Sequence, residues 1–179
     1  YTRVASLLDV SPSVISEAIC RRGYVHESAG HHENARADWA QVSQMPNASA
    51  AWKSRALYSL GHQRLDDEDF EGAIAYFNQA AALDDAPLRD KSWSRYGRAV
   101  AYAQLGLSRE AIRDFSNVAE TRGVSVNLWG ISVNARAAAK ANVDDREGAA
   151  EDLNTVIAAP DVPLSQTARA LNQRAELKQ

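Results

Sequence analysis

Cys20, His26, His31, His32 and His62 are side chains in this sequence that could ligate a metal or act as nucleophile and base. A zinc site needs three or four convergent ligands with no competing role. His26 and His32 stand, in a pattern developed below, where Tyr102 and Phe70 stand further along, so both read as turn-packing positions. A nucleophilic thiol at Cys20 needs an activating base, and nothing in the sequence marks His26 or His62 for that role. Cys20 therefore reads as a small buried residue. The carboxylates of LDDEDFEG and VDDREG lack the glycine-centred loop that calcium requires, and they read as caps that take up free amides at helix starts. No glycine-rich phosphate loop and no nucleophile elbow occurs. The sequence points to no metal, no cofactor and no enzyme.

Arginine and aspartate supply a different chemistry. Arg22, Arg98 and Arg136 each precede an aspartate by sixteen residues, namely Asp38, Asp114 and Asp152. In one further copy of the spacing both partners are replaced together, by Leu60 and Tyr76. Paired replacement within one chain predicts a structural ion pair; the alternative is that the arginines reach toward an acidic ligand.

These pairs need elements to hold them. Shifted by 38 residues, the sequence falls into register with itself. Ala35, Ala73, Ala111 and Ala149 are each followed after four residues by Trp39, Phe77, Phe115 and Leu153, and after three more by Val42, Ala80, Val118 and Val156. Such i, i+4, i+7 spacing puts three apolar side chains on one helical face, which must be buried. Twelve residues earlier come Gly23, Gly61, Ala99 and Ala137, small enough for a partner helix to approach closely. Each unit thus reads as two helices. The first is expected at Ser13–Ala29, Ala51–Asp67, Arg89–Leu105 and Asn127–Asn142; the second is expected to open after GHHEN, DEDFEG, GLSRE and VDDREG. The turn carries Gly30 or Gly106 in two units and Glu68 or Asp144 in the others. The units are expected at 9–46, 47–84, 85–122 and 123–160, with 1–8 closing a preceding unit and 161–179 opening a further one, so the sequence reads as part of a longer array.

Bulk properties exclude other classes. The chain has 179 residues, 45% of them hydrophobic and 24% charged, which argues against disorder and fibres. Its net charge is −3, without a basic run to neutralise several phosphates. The stretch LDVSPSVISEAICRRG, from Leu8, resembles a helix-turn-helix, but it shares its register with PDVPLSQTARALNQRA and reads as a connector between units. Nucleic acid is therefore not an expected partner. No apolar run approaches the roughly 18 residues of a membrane span, so insertion is not expected either. The compartment is left open.

The segments LGHQRLDDEDFEGAIAYFNQAAALD and RAVAYAQLGLSREAIRDFSNVAE resemble the tetratricopeptide repeat, whose small-residue, turn, alanine and aromatic pattern they carry. The 38-residue period exceeds the family's usual length and is similar to a long-linker bacterial variant. Two columns depart from the pattern: Arg95 stands where Trp or Leu is common, and the fourth unit's first helix is mostly alanine. The resemblance implies an all-α solenoid of stacked antiparallel hairpins, a right-handed superhelix with a concave face, and no catalytic residues. It places Tyr24, Tyr58, His62, Trp93, Tyr96, Asn134 and Asn172 on that face to bind a protein or peptide partner; the alternative is that the aromatics fill gaps between first helices. Three other roles stay open: a recruiting segment of a larger enzyme or sensor, a module that self-associates end to end, and a helix-turn-helix.

Overall fold

Three apolar residues on one face leave a helix no stable option but to cover that face. In the computed structural model, which describes residues 11–177, these columns are buried in every second helix, from Ala35, Trp39 and Val42 to Ala149, Leu153 and Val156. Nine helices and no strand occur among the described residues: α1 (Pro12–Ser28), α2 (His32–Gln44), α3 (Ala50–Asp66), α4 (Phe70–Ala81), α5 (Leu88–Gln104), α6 (Ser108–Glu120), α7 (Val126–Ala141), α8 (Arg146–Ala158) and α9 (Leu164–Glu176). The residues expected to close a preceding unit, 1–8, lie outside the described range.

The chain divides into two compact units, Tyr1–Ser94 and Arg95–Gln179. In the first, α1 packs on α2 and α3, and α3 packs also on α2 and α4. Its core joins Ile19, Trp39, Val42 and Leu60. In the second, α7 packs on α6, α8 and α9, and α8 also meets α9. One cluster there gathers Ala99, Ala111, Phe115 and Ala139; another gathers Val133, Leu153, Val156 and Ala170. Helices of 12 to 17 residues are marginal alone, so this face-to-face burial is what keeps them folded.

Every second helix begins earlier than the sequence suggests, inside the segments GHHEN, DEDFEG, GLSRE and VDDREG. In two of the four the reason lies in a side-chain cap. Asp69 Oδ1 accepts from the amide of Gly72 and Asp145 Oδ1 from that of Gly148, both at 2.9 Å, so the helix starts right after the aspartate. Glu33, Glu71, Glu110 and Glu147 then occupy the first turns, where a negative charge complements the helix dipole. The first turn needs no apolar residue for this, which is why hydrophobic spacing overlooks it.

The turns between paired helices obey one geometry. The amides of His31, Asp69, Leu107 and Asp145 each bond the carbonyl five residues back, closing the helix with the six-to-one bond of a Schellman motif. That closure requires a left-handed residue just before. Gly30 and Gly106 supply it at φ 76° and 72°, but Glu68 and Asp144 are held at φ 58° and 63°. A side chain there costs about 1–2 kcal/mol, part of which the greater freedom of unfolded glycine offsets. Glu68→Gly and Asp144→Gly are therefore expected to stabilise the chain by about 0.5–1 kcal/mol each. Thermal unfolding measures this, and an unchanged or lower Tm overturns it.

Candidate functional site

The sixteen-residue spacing spans one hairpin from first helix to second. Arg22 Nε donates to Asp38 Oδ2 at 2.8 Å, and its Nη2 meets Oδ1. Arg98 reaches Asp114 through Nε and Nη2 at 2.6 and 2.8 Å, and Arg136 reaches Asp152 at 2.8 and 2.6 Å. All three are two-pronged charge-assisted contacts with the aspartate nearly out of water. The bond from Asp38 pushes the Arg22 guanidinium above its ordinary value, and the bond from Asp114 does the same for Arg98. Lys140 adds a second cation to Asp152 at 3.0 Å. Each of these contacts joins the two helices of one hairpin.

Other arginines face outward. On the first unit, residues from α1, α3 and the start of α5 surround an open pocket of about 430 Å³, lined by Arg21, Tyr24, Trp52, Arg55, Tyr58, Arg89, Asp90 and Trp93. Trp52 anchors it: the guanidinium carbon of Arg21 lies 5.5 Å, and that of Arg55 4.7 Å, from its ring centroid. Both distances are within cation–π range. Arg55 Nε also donates to Asp90 Oδ2 at 3.1 Å, which fixes its plane while Asp90 stays buried. Arg21 bonds Glu17 on the exposed side of α1. Three cations thus face one carboxylate beside four aromatic rings.

Of the groove residues read from the sequence, Tyr24, Tyr58 and Trp93 line this pocket. Tyr24 stacks at 5.4 Å on Trp39, and Tyr58 at 5.7 Å on Phe77, so each ring has one side on the core and another toward the pocket. His62 lies next to Tyr58 at 5.8 Å and 3.8 Å from Asp66, lining a smaller neighbouring depression. In the second unit, Tyr96 packs at 5.6 Å against Phe115. Asn134 is fully buried, and its Nδ2 donates to the backbone oxygen of Gln166 at 3.0 Å, tying α7 to α9. Its amide serves the fold. Asn172 is exposed on α9.

The pocket residues that column reading misses are Arg21, Trp52, Arg89 and Asp90. A signal for them exists. Arg21, Arg55 and Arg89 recur every 34 residues within a 38-residue repeat, so each stands one helical turn nearer the start of its first helix than the last. A diagonal across stacked helices is invisible when only equivalent columns are compared.

His26 lies 4.0 Å from Asp38 and His32 3.1 Å from Glu27. Among the described residues no group of three or more His, Cys, Asp or Glu could hold a metal ion. Burial pushes the Cys20 thiol from 9.0 to about 11. Its folded value lies above the unfolded one, so the stability this gives is present below pH 9 and is lost as the pH rises toward 11. At pH 8 native Cys20 is expected to alkylate about a hundredfold more slowly than in the unfolded chain. Equal rates in iodoacetamide quenching would show an accessible thiolate and overturn this.

Stacked helical hairpins of this kind make a repeat solenoid. Residues 54–87 match the family model of the tetratricopeptide repeat. The chain is similar in fold to two crystal structures, one of a point variant, of a Podosopora anserina chain assigned as a kinesin light chain with nearly identical TPR-like repeats. The TM-scores are 0.70 and 0.69; in both, 18% of residues are identical and the match covers 93% of this chain and 91% of that one. No match was found to a curated protein sequence.

Proposed function

We propose that the chain is a non-enzymatic interaction scaffold that takes a peptide segment of a partner protein on the first-helix face, at the pocket between α1, α3 and the start of α5. The observation that carries this reading is the pocket itself, with Trp52, Trp93, Tyr58 and arginines on a rigid helical base. Trp, Tyr and Arg are the residue types that concentrate binding energy at interfaces, since they offer large contact area or forked hydrogen bonding at little conformational cost. Tyr24 and Tyr58 are already held against Trp39 and Phe77, so binding need not order these two rings anew. The tetratricopeptide match and the solenoid neighbours support the same role by fold analogy.

The experiment is selection of displayed random peptides on the immobilised chain, repeated on a Trp93→Ala variant with unchanged helicity. Peptides enriched on the parent are expected to lose at least about tenfold in affinity on the variant, the effect of removing a central aromatic anchor. No enrichment, or peptides indifferent to Trp93→Ala, overturns the assignment. A mass that rises with concentration in light scattering would instead favour end-to-end self-association.

A further inference from the structure

The chain is acidic overall, with a net charge of −3, yet this pocket gathers Arg21, Arg55 and Arg89 with a single carboxylate, that of Asp90. Building on the reading above, we propose that the partner segment is an internal acidic peptide, with carboxylates spaced along an extended backbone so that each meets one arginine of this diagonal.

Arg89 carries the argument. It lies in the first turn of α5, the helix end where a cation opposes the dipole, and it is exposed. Its side chain makes no ion pair or hydrogen bond with any described residue. A residue that costs local stability and is repaid by no contact in the free chain fits a ligand that repays it. Arg55 is held in plane through Nε by Asp90, which leaves its terminal nitrogens for a forked contact with a carboxylate. Arg21 is paired to Glu17 by an exposed i, i+4 bridge, of the kind that adds little and yields readily to a better acceptor.

The spacing follows from the helices. The α1 and α3 helices pack on each other, so Arg21 and Arg55 stand on axes about 10 Å apart, a distance that roughly three residues of extended peptide span. Trp52, between Arg21 and Arg55, and Trp93 beyond them offer flat surface for the intervening side chains.

The test uses fluorescent peptides of about twelve residues, blocked at both ends, with glutamate at every third position, against a glutamine version of the same peptide. Fluorescence anisotropy is measured on the parent and on Arg89→Ala and Arg89→Glu, with oligothymidylate and a phosphoserine peptide as competitors. The glutamate peptide is expected to bind the parent at least tenfold tighter than the glutamine one and to weaken several-fold on raising the salt. It is expected to lose about tenfold on Arg89→Ala and more on Arg89→Glu, while both variants keep or raise the parent's Tm. Equal binding of the two peptides overturns the acidic assignment. If the glutamine peptide then loses affinity on Trp93→Ala, the peptide-groove reading stands without it. Undiminished binding to Arg89→Glu, or preference for oligothymidylate or phosphoserine, also overturns it. If neither peptide binds, the acidic assignment falls, and the displayed-peptide selection decides the groove separately.

Discussion

In thermal unfolding followed by circular dichroism, Asp114→Ala is expected to lose about 3 kcal/mol, roughly 10 °C for a chain of this length. The double exchange of Arg98→Leu with Asp114→Tyr is expected to stay close to the parent. Asp114 is 1% exposed and accepts two charge-assisted bonds from one guanidinium. Removing it takes the main counter-charge from Arg98, whose side chain is only 21% exposed, and the desolvated cation is what makes the loss large. The fold also contains its own control. Where the other hairpins carry Arg and Asp, α3 and α4 carry Leu60, 3% exposed, and Tyr76, which packs on the same core. Two apolar partners of matched size fill that space without a charge to desolvate, and such replacements are often neutral or stabilising. The signature is therefore the coupling: the two single losses together should exceed the loss of the double by at least about 3 kcal/mol. Additive losses would mean that the pair does not act as a unit. Because hairpins touch only their neighbours, unfolding in the single variants should begin in the second unit.

The fold was legible because its physics repeats in sequence. Burial of one face per second helix writes alanine, a large apolar residue and a smaller one every 38 residues, and hairpin closure writes its turn residue at the same period. The pairing of Arg22, Arg98 and Arg136 with their aspartates is likewise a within-hairpin relation at constant spacing. The candidate site obeys another rule. It joins successive first helices, so its arginines drift one turn per repeat and fall in different columns. Asn134 shows the converse: it shares a column with Tyr58 and Tyr96, yet its short amide reaches the Gln166 backbone on α9, the next first helix, and is buried, where the tyrosines stack on second-helix aromatics. A column fixes where a residue stands on its helix, and side-chain length decides what it meets.

Gly61→Leu is expected to cost about 3 kcal/mol, the upper part of the range for overpacking, and substitution at Phe77 should recover part of it. Even a Cβ at Gly61 would lie 2.7 Å from Phe77 Cε1 and 3.0 Å from two further ring atoms. Phe77 is 0% exposed, so its ring has no solvent to swing into. The four hairpins show how the space is shared: Gly23 faces Trp39, Gly61 faces Phe77, Ala99 clusters with Phe115 and Ala137 with Leu153. Tryptophan pairs with glycine, leucine with alanine and phenylalanine with either, so the fit at Gly61 is set by how closely the Phe77 ring approaches it. This predicts a reversal of sign. In the parent, Gly61→Ala should destabilise, because the close contact outweighs the gain of about 1 kcal/mol that alanine brings to a helix interior. In a Phe77→Leu background, which copies the fourth hairpin, the contact is relieved and only the helix preference remains, so the same Gly61→Ala should stabilise. Urea unfolding of the four variants measures both signs. If Gly61→Ala has one sign in both backgrounds, the glycine is there for some reason other than the approach of the Phe77 ring.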